Sequence, residues 1–447
     1  MSKLPVVPST WMITELGKVV EYGKTIKVEP NQIAPTAWIL ELEDIEKNTS
    51  KLLAKLRFAD RDSKSTKNQF EIGDILYGKL RPYLNKVLIA DDAGYCSTEI
   101  VPLKPGDHLD NRFLFYWLKH PAFLEYVEAE SHGLNMPRLG TETGRAAPFV
   151  LAPLNEQRRI ADKLDAVLAR VDACRDRLYR IPAILKRFRQ SVLNAATTGE
   201  LTEDWRTENA ISEEWSPTQL NDVASNFSYG TSAKSSKTGS IPVLRMGNIQ
   251  DGALDWTDLV YTSDVVEITK YQLSLGDVLF NRTNSPELVG KTAVFKGERE
   301  AIYAGYLIRV RCLPQLLPDY LNYCLSSPAG RQYCWQVKSD GVSQSNINAK
   351  KLAAFEFNLP SVEEQTEIVR RVESLFAYAD RLEARYNSAR AQVEKLTPAL
   401  LAKAFRGELI PQDPNDEPAS ELLARIAAGK TAEQAKTRAG KRQIKPS

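Results

Sequence analysis

Two stretches of this 447-residue chain concentrate side chains able to read the edges of nucleic-acid bases. They are YGKLRPYLNK (Tyr77–Lys86) and FNRTNSPELVGK (Phe280–Lys291), each a β-rich run entering a polar turn. A second polar turn follows each of them, GLNMPR (Gly133–Arg138) and GVSQSN (Gly341–Asn346). Arginine donates bidentately to guanine, and asparagine or glutamine pairs with adenine, so such turns suit base-edge recognition. The candidates are Lys79, Arg81, Tyr83, Asn85, Asn135, Arg138, Arg245, Arg282, Asn284, Ser343, Gln344 and Asn346. Ordinary solvent-facing turns share this composition. What favours binding is recurrence at matching places with different polar residues, as two sites reading two sequences require.

No catalytic constellation accompanies these turns. The chain lacks a GxxxxGK[ST] phosphate loop, HExxH, GxSxG and a GxGxxG opening a helix. It also lacks an Asn/Asp-Pro-Pro-Tyr/Phe run, and no two carboxylates and a lysine fall into a nuclease pattern; a single Asp or Glu reads as a solvated charge. The five cysteines form no CxxC pair and the three histidines (His108, His120, His132) are scattered, so neither a metal site nor a disulfide framework is expected. With 26% charged and 43% apolar residues the composition is that of a soluble globular protein, and a net charge of +2 means that any basic surface must be local. The N-terminus carries no apolar leader core and no apolar run approaches the ~18 residues of a membrane span, so a cytoplasmic protein is expected.

The elements that must position the turns are set by a repeat. Leu151–Leu201 returns as Leu359–Leu409 without a gap; 365 − 157 and 407 − 199 both give 208. Apolar positions in the first copy step by four and three through Ile160, Leu164, Val167, Val171, Cys174, Leu178, Ile181, Leu185, Phe188 and Val192. The second copy repeats the step at Ile368, Val372, Leu375, Ala379, Leu382, Tyr386, Ala389, Val393, Leu396 and Leu400. This is the seam of a coiled coil, and a helix of about 40 residues would be roughly 60 Å long. Alone, each would leave an apolar stripe in water, so the two copies should pack against each other. Both should stop at a glycine, and Pro182 should kink the first or end its first segment. The first helix carries ten basic residues against five acidic ones between Glu156 and Ala196, including KRFR at 186–189; such a run is usually a solvated face, with phosphate contact or partner docking as the alternative.

The segments before and between the helices echo each other more faintly. FEIGDILYGKL (Phe70–Leu80) matches LSLGDVLFNRT (Leu273–Thr283), Trp11 matches Trp215, and Leu114, Leu118 and Pro121 match Leu321, Leu325 and Pro328. The chain is a tandem duplication of one unit, a mixed α/β globular block followed by a long helix. The expected boundaries are 1–150 and 206–358 for the blocks, 151–205 for the first helix with a polar linker, 359–410 for the second helix, and 411–447 for a tail. In that tail Ser420 should cap a short helix, with a basic, disordered end beyond it.

These motifs resemble the specificity subunit of type I restriction–modification enzymes over essentially the whole chain. The resemblance is strongest in LNEQRRIADKLDAVLARVD with RLYRIPAILKRFRQSVLNAATTGELTEDWR, and in EEQTEIVRRVESLF ending KAFRGELIPQDPNDEPASELL. It implies two target recognition domains joined by two antiparallel coiled-coil helices with an internal pseudo-twofold. Each domain would read half of a bipartite DNA site, and the helices would set the spacer between the halves. The resemblance further implies two modification (methyltransferase) subunits that use S-adenosylmethionine on adenine N6, and two restriction subunits that use ATP and Mg. This chain would itself bind no cofactor and catalyse nothing. No base-contacting residue transfers by motif, because recognition domains of the family diverge. The alternative is a duplicated coiled-coil scaffold whose blocks bind protein.

Overall fold

The computed structural model describes residues 4–443 apart from residues 62, 134, 212, 213 and 343, with side chains described to residue 431. It forms two compact units. One comprises Met1–Leu178 with Ala389–Ser447, and the other comprises Tyr179–Ser388. The long helices Leu154–Thr198 and Val362–Ala404 are therefore shared: each unit holds a globular block, the start of the helix that follows it, and the end of the other helix.

In the first unit the block contains a five-stranded sheet in the order Ile26–Val28, Lys67–Phe70, Gly94–Ser97, Trp38–Leu40 and Leu56–Arg57. A three-stranded sheet follows, with Ile75–Gly78 between Val87–Ile89 and Ile100–Leu103. Ile75, Leu76 and Tyr77 are all buried, so this strand is apolar on both faces rather than alternating. Asp110 starts the helix Asn111–Leu118 by accepting from the Arg112 and Phe113 amides at 3.0 and 3.1 Å, as an N-cap aspartate does. Strand Met12–Glu15 pairs antiparallel with Pro148–Leu151 and delivers the chain into the first long helix.

The second unit repeats the plan. Val278–Asn281 lies between Leu307–Cys312 and Thr292–Val294, and Ser216–Gln219 pairs with Glu356–Leu359 ahead of the second long helix. Parallel pairing of Ile39 with Tyr95 is matched by Val243 with Ile302.

Within the first unit Ile160 and Leu164 of one long helix share a core with Leu401, Ala404 and Phe405 of the other, and Arg175 donates to Thr397 Oγ1 at 3.0 Å. Within the second, Val192, Leu193 and Ala196 share a core with Ile368 and Val372, and Arg189 pairs with Asp380 and Glu383. In both units residue numbers rise on one helix as they fall on the other, so the helices are antiparallel. Each ends at a left-handed glycine, Gly199 at φ 87° and Gly407 at φ 72°.

Five local expectations are corrected. The first long helix does not end its first segment at Pro182 but runs on through that exposed residue to Thr198. Leu396 is 42% exposed and Cys174 is exposed: two helices cover each other from one side only, and beside Pro398 it is Thr397 that turns inward. The polar stretch after the first helix is no plain linker, since Glu200–Thr202 is a 3-10 turn and Glu203–Glu208 a helix. The tail forms the helix Ala419–Gln443, which buries Leu422 and Ile426 in the first unit's core and runs on past the short helix expected, through Lys436, Arg438, Lys441 and Arg442, where a disordered end was expected. This helix begins before Ser420, which therefore does not cap it, and Lys445 lies outside the described residues.

Candidate nucleic-acid interface

The polar stretches and polar turns singled out by sequence come together in each block through the same backbone pattern. In the first, the Lys79 amide donates to Glu99 O at 3.0 Å and Lys79 O accepts from the Leu139 amide at 3.0 Å. In the second, the Arg282 amide donates to Tyr306 O at 3.0 Å and Arg282 O accepts from the Ile347 amide at 2.9 Å. Isolated bridges join Leu80 to Arg138, and antiparallel pairing joins Thr283 to Asn346. Lys79 and Arg282, Glu99 and Tyr306, and Arg138 and Asn346 are thus equivalent positions on one repeated platform. Sequence reasoning missed Glu99 and Tyr306. Carrying the register of the matched strands forward would have found them, but neither lies in a polar turn.

The side chains on the two platforms differ. In the first block Lys79 is half-buried and Arg81 is exposed in left-handed backbone at φ 49°. Tyr83 and Asn135 are also exposed. Arg138 donates from Nε to Glu99 Oε2 at 3.1 Å. Beside it, Arg81, Glu99 and Met136 line a cleft of about 640 Å³ together with Lys86 and Glu41. Asn85 is a correction: at 6% exposure and φ 47° it closes the 3-10 turn Pro82–Leu84 from inside and presents no amide to a ligand.

In the second block Arg282 stacks its guanidinium over Tyr229, 4.5 Å from the ring centroid. The same group donates to Asn346 Oδ1 at 3.2 Å and Gly305 O at 3.4 Å. Asn346 donates in turn to Thr283 Oγ1 at 2.8 Å, so both ends of its amide are engaged. Asn284 is occupied locally by the Ser285 amide, whereas Gln344 is exposed. Arg245 stands apart from this group, held by Asp258. Ser343 lies outside the described residues.

Each long helix begins on a buried glutamate that ties it to its own unit. Glu156 is buried and accepts from Trp11 Nε1 at 2.8 Å and Gln412 Nε2 at 2.5 Å; its burial raises its pKa. Glu364, also buried, accepts from Trp215 Nε1 at 2.9 Å, Thr202 Oγ1 at 2.6 Å and Arg206 Nη1 at 2.5 Å. The next residue repeats as well: Gln157 accepts from the Asp110 amide and Gln365 from the Leu317 amide, at 2.9 and 2.8 Å.

On the first helix Arg159 pairs with Asp416 and Arg175 with Asp172, whereas Arg158, Lys163, Arg170, Arg177, Arg180, Lys186 and Arg187 make no ion pair among the described residues. Among the described residues no group of three or more His, Cys, Asp and Glu could hold a metal, and no helix is long and apolar enough to cross a membrane. What the arrangement offers is hydrogen-bond donors and cations on rigid strand ends, which is recognition chemistry.

Comparison with known proteins agrees with this geometry. Residues 8–181 and 212–389 each match the type I restriction modification DNA specificity domain. The chain is 35% identical over 343 residues to the Type I restriction enzyme EcoKI specificity subunit of Escherichia coli (strain K12), covering 74% of each chain. It is 35% identical over 356 residues to the EcoBI specificity subunit of Escherichia coli, covering 73% of each. Among solved structures it is similar to the HsdS subunit from Thermoanaerobacter tengcongensis, with TM-score 0.59, 20% identity and coverage of 90% of this chain and 98% of that one. A chain from a structure of the type I R-M system aligns with TM-score 0.67 at 19% identity, covering 91% of this chain and all of the other. At such identities the likeness to solved structures concerns the fold.

Proposed function

This chain belongs to the type I restriction modification DNA specificity family, and from that membership we propose that its two platforms read the two halves of one bipartite duplex target. It is the specificity subunit of a type I restriction–modification system. The observation that carries the two-half reading is the repeated platform: one backbone scaffold presents Lys79, Glu99 and Arg138 in one block and Arg282, Tyr306 and Asn346 in the other. A single scaffold with different side chains is what reading two different sequences with one docking geometry requires.

In this proposal the paired helices fix the unspecified spacer between the half-sites. The duplicated surfaces accept two copies of a modification subunit, because like surfaces bind like partners. Those subunits would carry S-adenosylmethionine and flip the target adenine out of the stack, and two restriction subunits would supply ATP- and Mg-dependent steps. The chain's own part is binding and selection, in the cytoplasm where the target DNA lies. The unpaired cations of the first helix and of the first platform would supply phosphate contacts, so affinity should fall steeply with salt.

The test is methylation mapping by long-read sequencing in cells carrying this chain with its cognate modification subunit. A bipartite motif with one modified adenine in each half is the expected result. An intact complex that methylates nothing and binds DNA without sequence preference overturns the proposal.

A further inference from the structure

Arg138 differs from the other described candidates in how it is held. Its backbone is fixed in a small ladder: its amide donates to His132 O at 3.0 Å and its carbonyl accepts from the His132 amide at 3.2 Å. The flanking residues are tied down too, with the Arg81 amide donating to Pro137 O at 2.7 Å and the Leu139 amide to Lys79 O at 3.0 Å. Its side chain is then oriented at one atom only, Nε, by the Glu99 carboxylate. Glu99 is itself fixed from both sides. Its amide donates to Ser97 Oγ at 3.3 Å and its carbonyl accepts from the Lys79 amide. Nη1 and Nη2 of Arg138 have no partner among the described residues, and the side chain is 51% exposed.

An arginine held at Nε with both terminal nitrogens free presents two parallel N–H donors. Two acceptors side by side on one base edge occur in the major groove only at guanine, as O6 and N7. We propose that Arg138 reads a guanine in the half-site of the first block, and that Glu99 is its positioning residue. Orienting the guanidinium beforehand lowers the rotamer entropy lost on binding, so Glu99 sharpens discrimination without touching the base. The equivalent residue of the second block does something else. Asn346 has its amide oxygen on Arg282 and one N–H on Thr283, so in this proposal it acts first by stiffening its platform.

This inference rests on the bipartite reading above, and methylation mapping with the modification subunit separates the two. If the unsubstituted chain yields no bipartite motif, the reading fails. If it does and the variants leave the motif unchanged, only the guanine assignment fails. Arg138→Lys keeps charge and stem but loses the fork, so it guards against misfolding of Arg138→Ala. The expected result for both is loss of preference at one G·C pair in one half-site, by about 10- to 100-fold, with the other half unchanged as an internal control for folding. Glu99→Gln should relax the same pair by a smaller factor, and Asn346→Ala should not turn any A·T position degenerate. Relaxation at an A·T pair, relaxation spread over both halves, or Glu99→Gln acting at a different pair from Arg138→Lys overturns the proposal.

Discussion

Glu156 and Glu364 sit at the same place in the two units, each at the head of a long helix and each bonded to an indole, yet the segments that complete their shells differ. The first is closed by the neutral Gln412 from the chain's C-terminal part, and the second by Thr202 and the cation Arg206 from the segment between helix and block. The platforms contrast in the same way. Backbone bonds around Lys79 and Arg282 coincide within 0.1 Å, while the side chains are charged in one, with Arg138 held only at Nε by Glu99, and locked together in the other. Duplication has preserved what the backbone needs and released what only the ligand sees. Different side chains can therefore face a target without altering the frame that holds them.

The comparison breaks most visibly at the carboxylates. Glu364→Ala leaves Arg206, Thr202 and Trp215 without their acceptor and should cost about 3–5 kcal/mol, the range for removing one partner of a buried ion pair. Glu156→Ala strips acceptors only from neutral partners and should cost about 1–3 kcal/mol. Hydrogen exchange reads the units separately, and equal losses of protection in both would show that the charge on Arg206 is immaterial.

The next contrast is acid sensitivity. His120 and Ser327 cap equivalent helices, accepting from the Ala122 amide at 3.1 Å and the Gly330 amide at 3.2 Å. Burial against Trp117 and Phe405, with Arg406 nearby, lowers the His120 pKa from 6.5 to about 4. A group depressed on folding contributes stability that is complete above pH 6.5 and is lost as the pH falls towards 4, at most roughly 3 kcal/mol. Protection of Pro121–Glu130 should therefore fall across that window while Pro328–Val337 holds. His120→Ser should flatten the difference, and an unchanged acid profile in that variant would place the sensitive group elsewhere.

The platforms supply the smaller effects. Arg282→Ala removes the ring stacking and the bond to Asn346 and should cost about 1–2 kcal/mol in thermal unfolding, with altered choice in one half-site. Lys79→Ala, at the equivalent position, should change stability by less than about 0.5 kcal/mol. Instead it should weaken DNA binding by the complex at all sequences and reduce the salt slope by about one. Identical stability losses for the two variants would remove the contrast between a locked and an open platform.

The repeat, the two long helices and their glycine stops were legible in the sequence because each follows from local rules: spacing of apolar residues, a constant offset, and a left-handed position that glycine occupies without strain. The paired polar turns were legible for the same reason, and they do lie side by side. The exposure of Leu396, the burial of Asn85 and the engagement of Asn346 were not legible, because they depend on what arrives from elsewhere in the chain. Asn85 looks like a surface turn residue but is buried where it caps Pro82–Leu84, and Asn346 looks free until Arg282 reaches it. Likewise Leu422 and Ile426 read as part of a short helix in the tail, and nothing local says that they join the core that holds Phe405. The sequence by itself determined the duplicated plan and the class of chemistry. Tertiary structure alone decided which segment completes which unit, and which polar side chains keep a free donor, since burial and hydrogen-bond satisfaction are properties of the surroundings rather than of the residue.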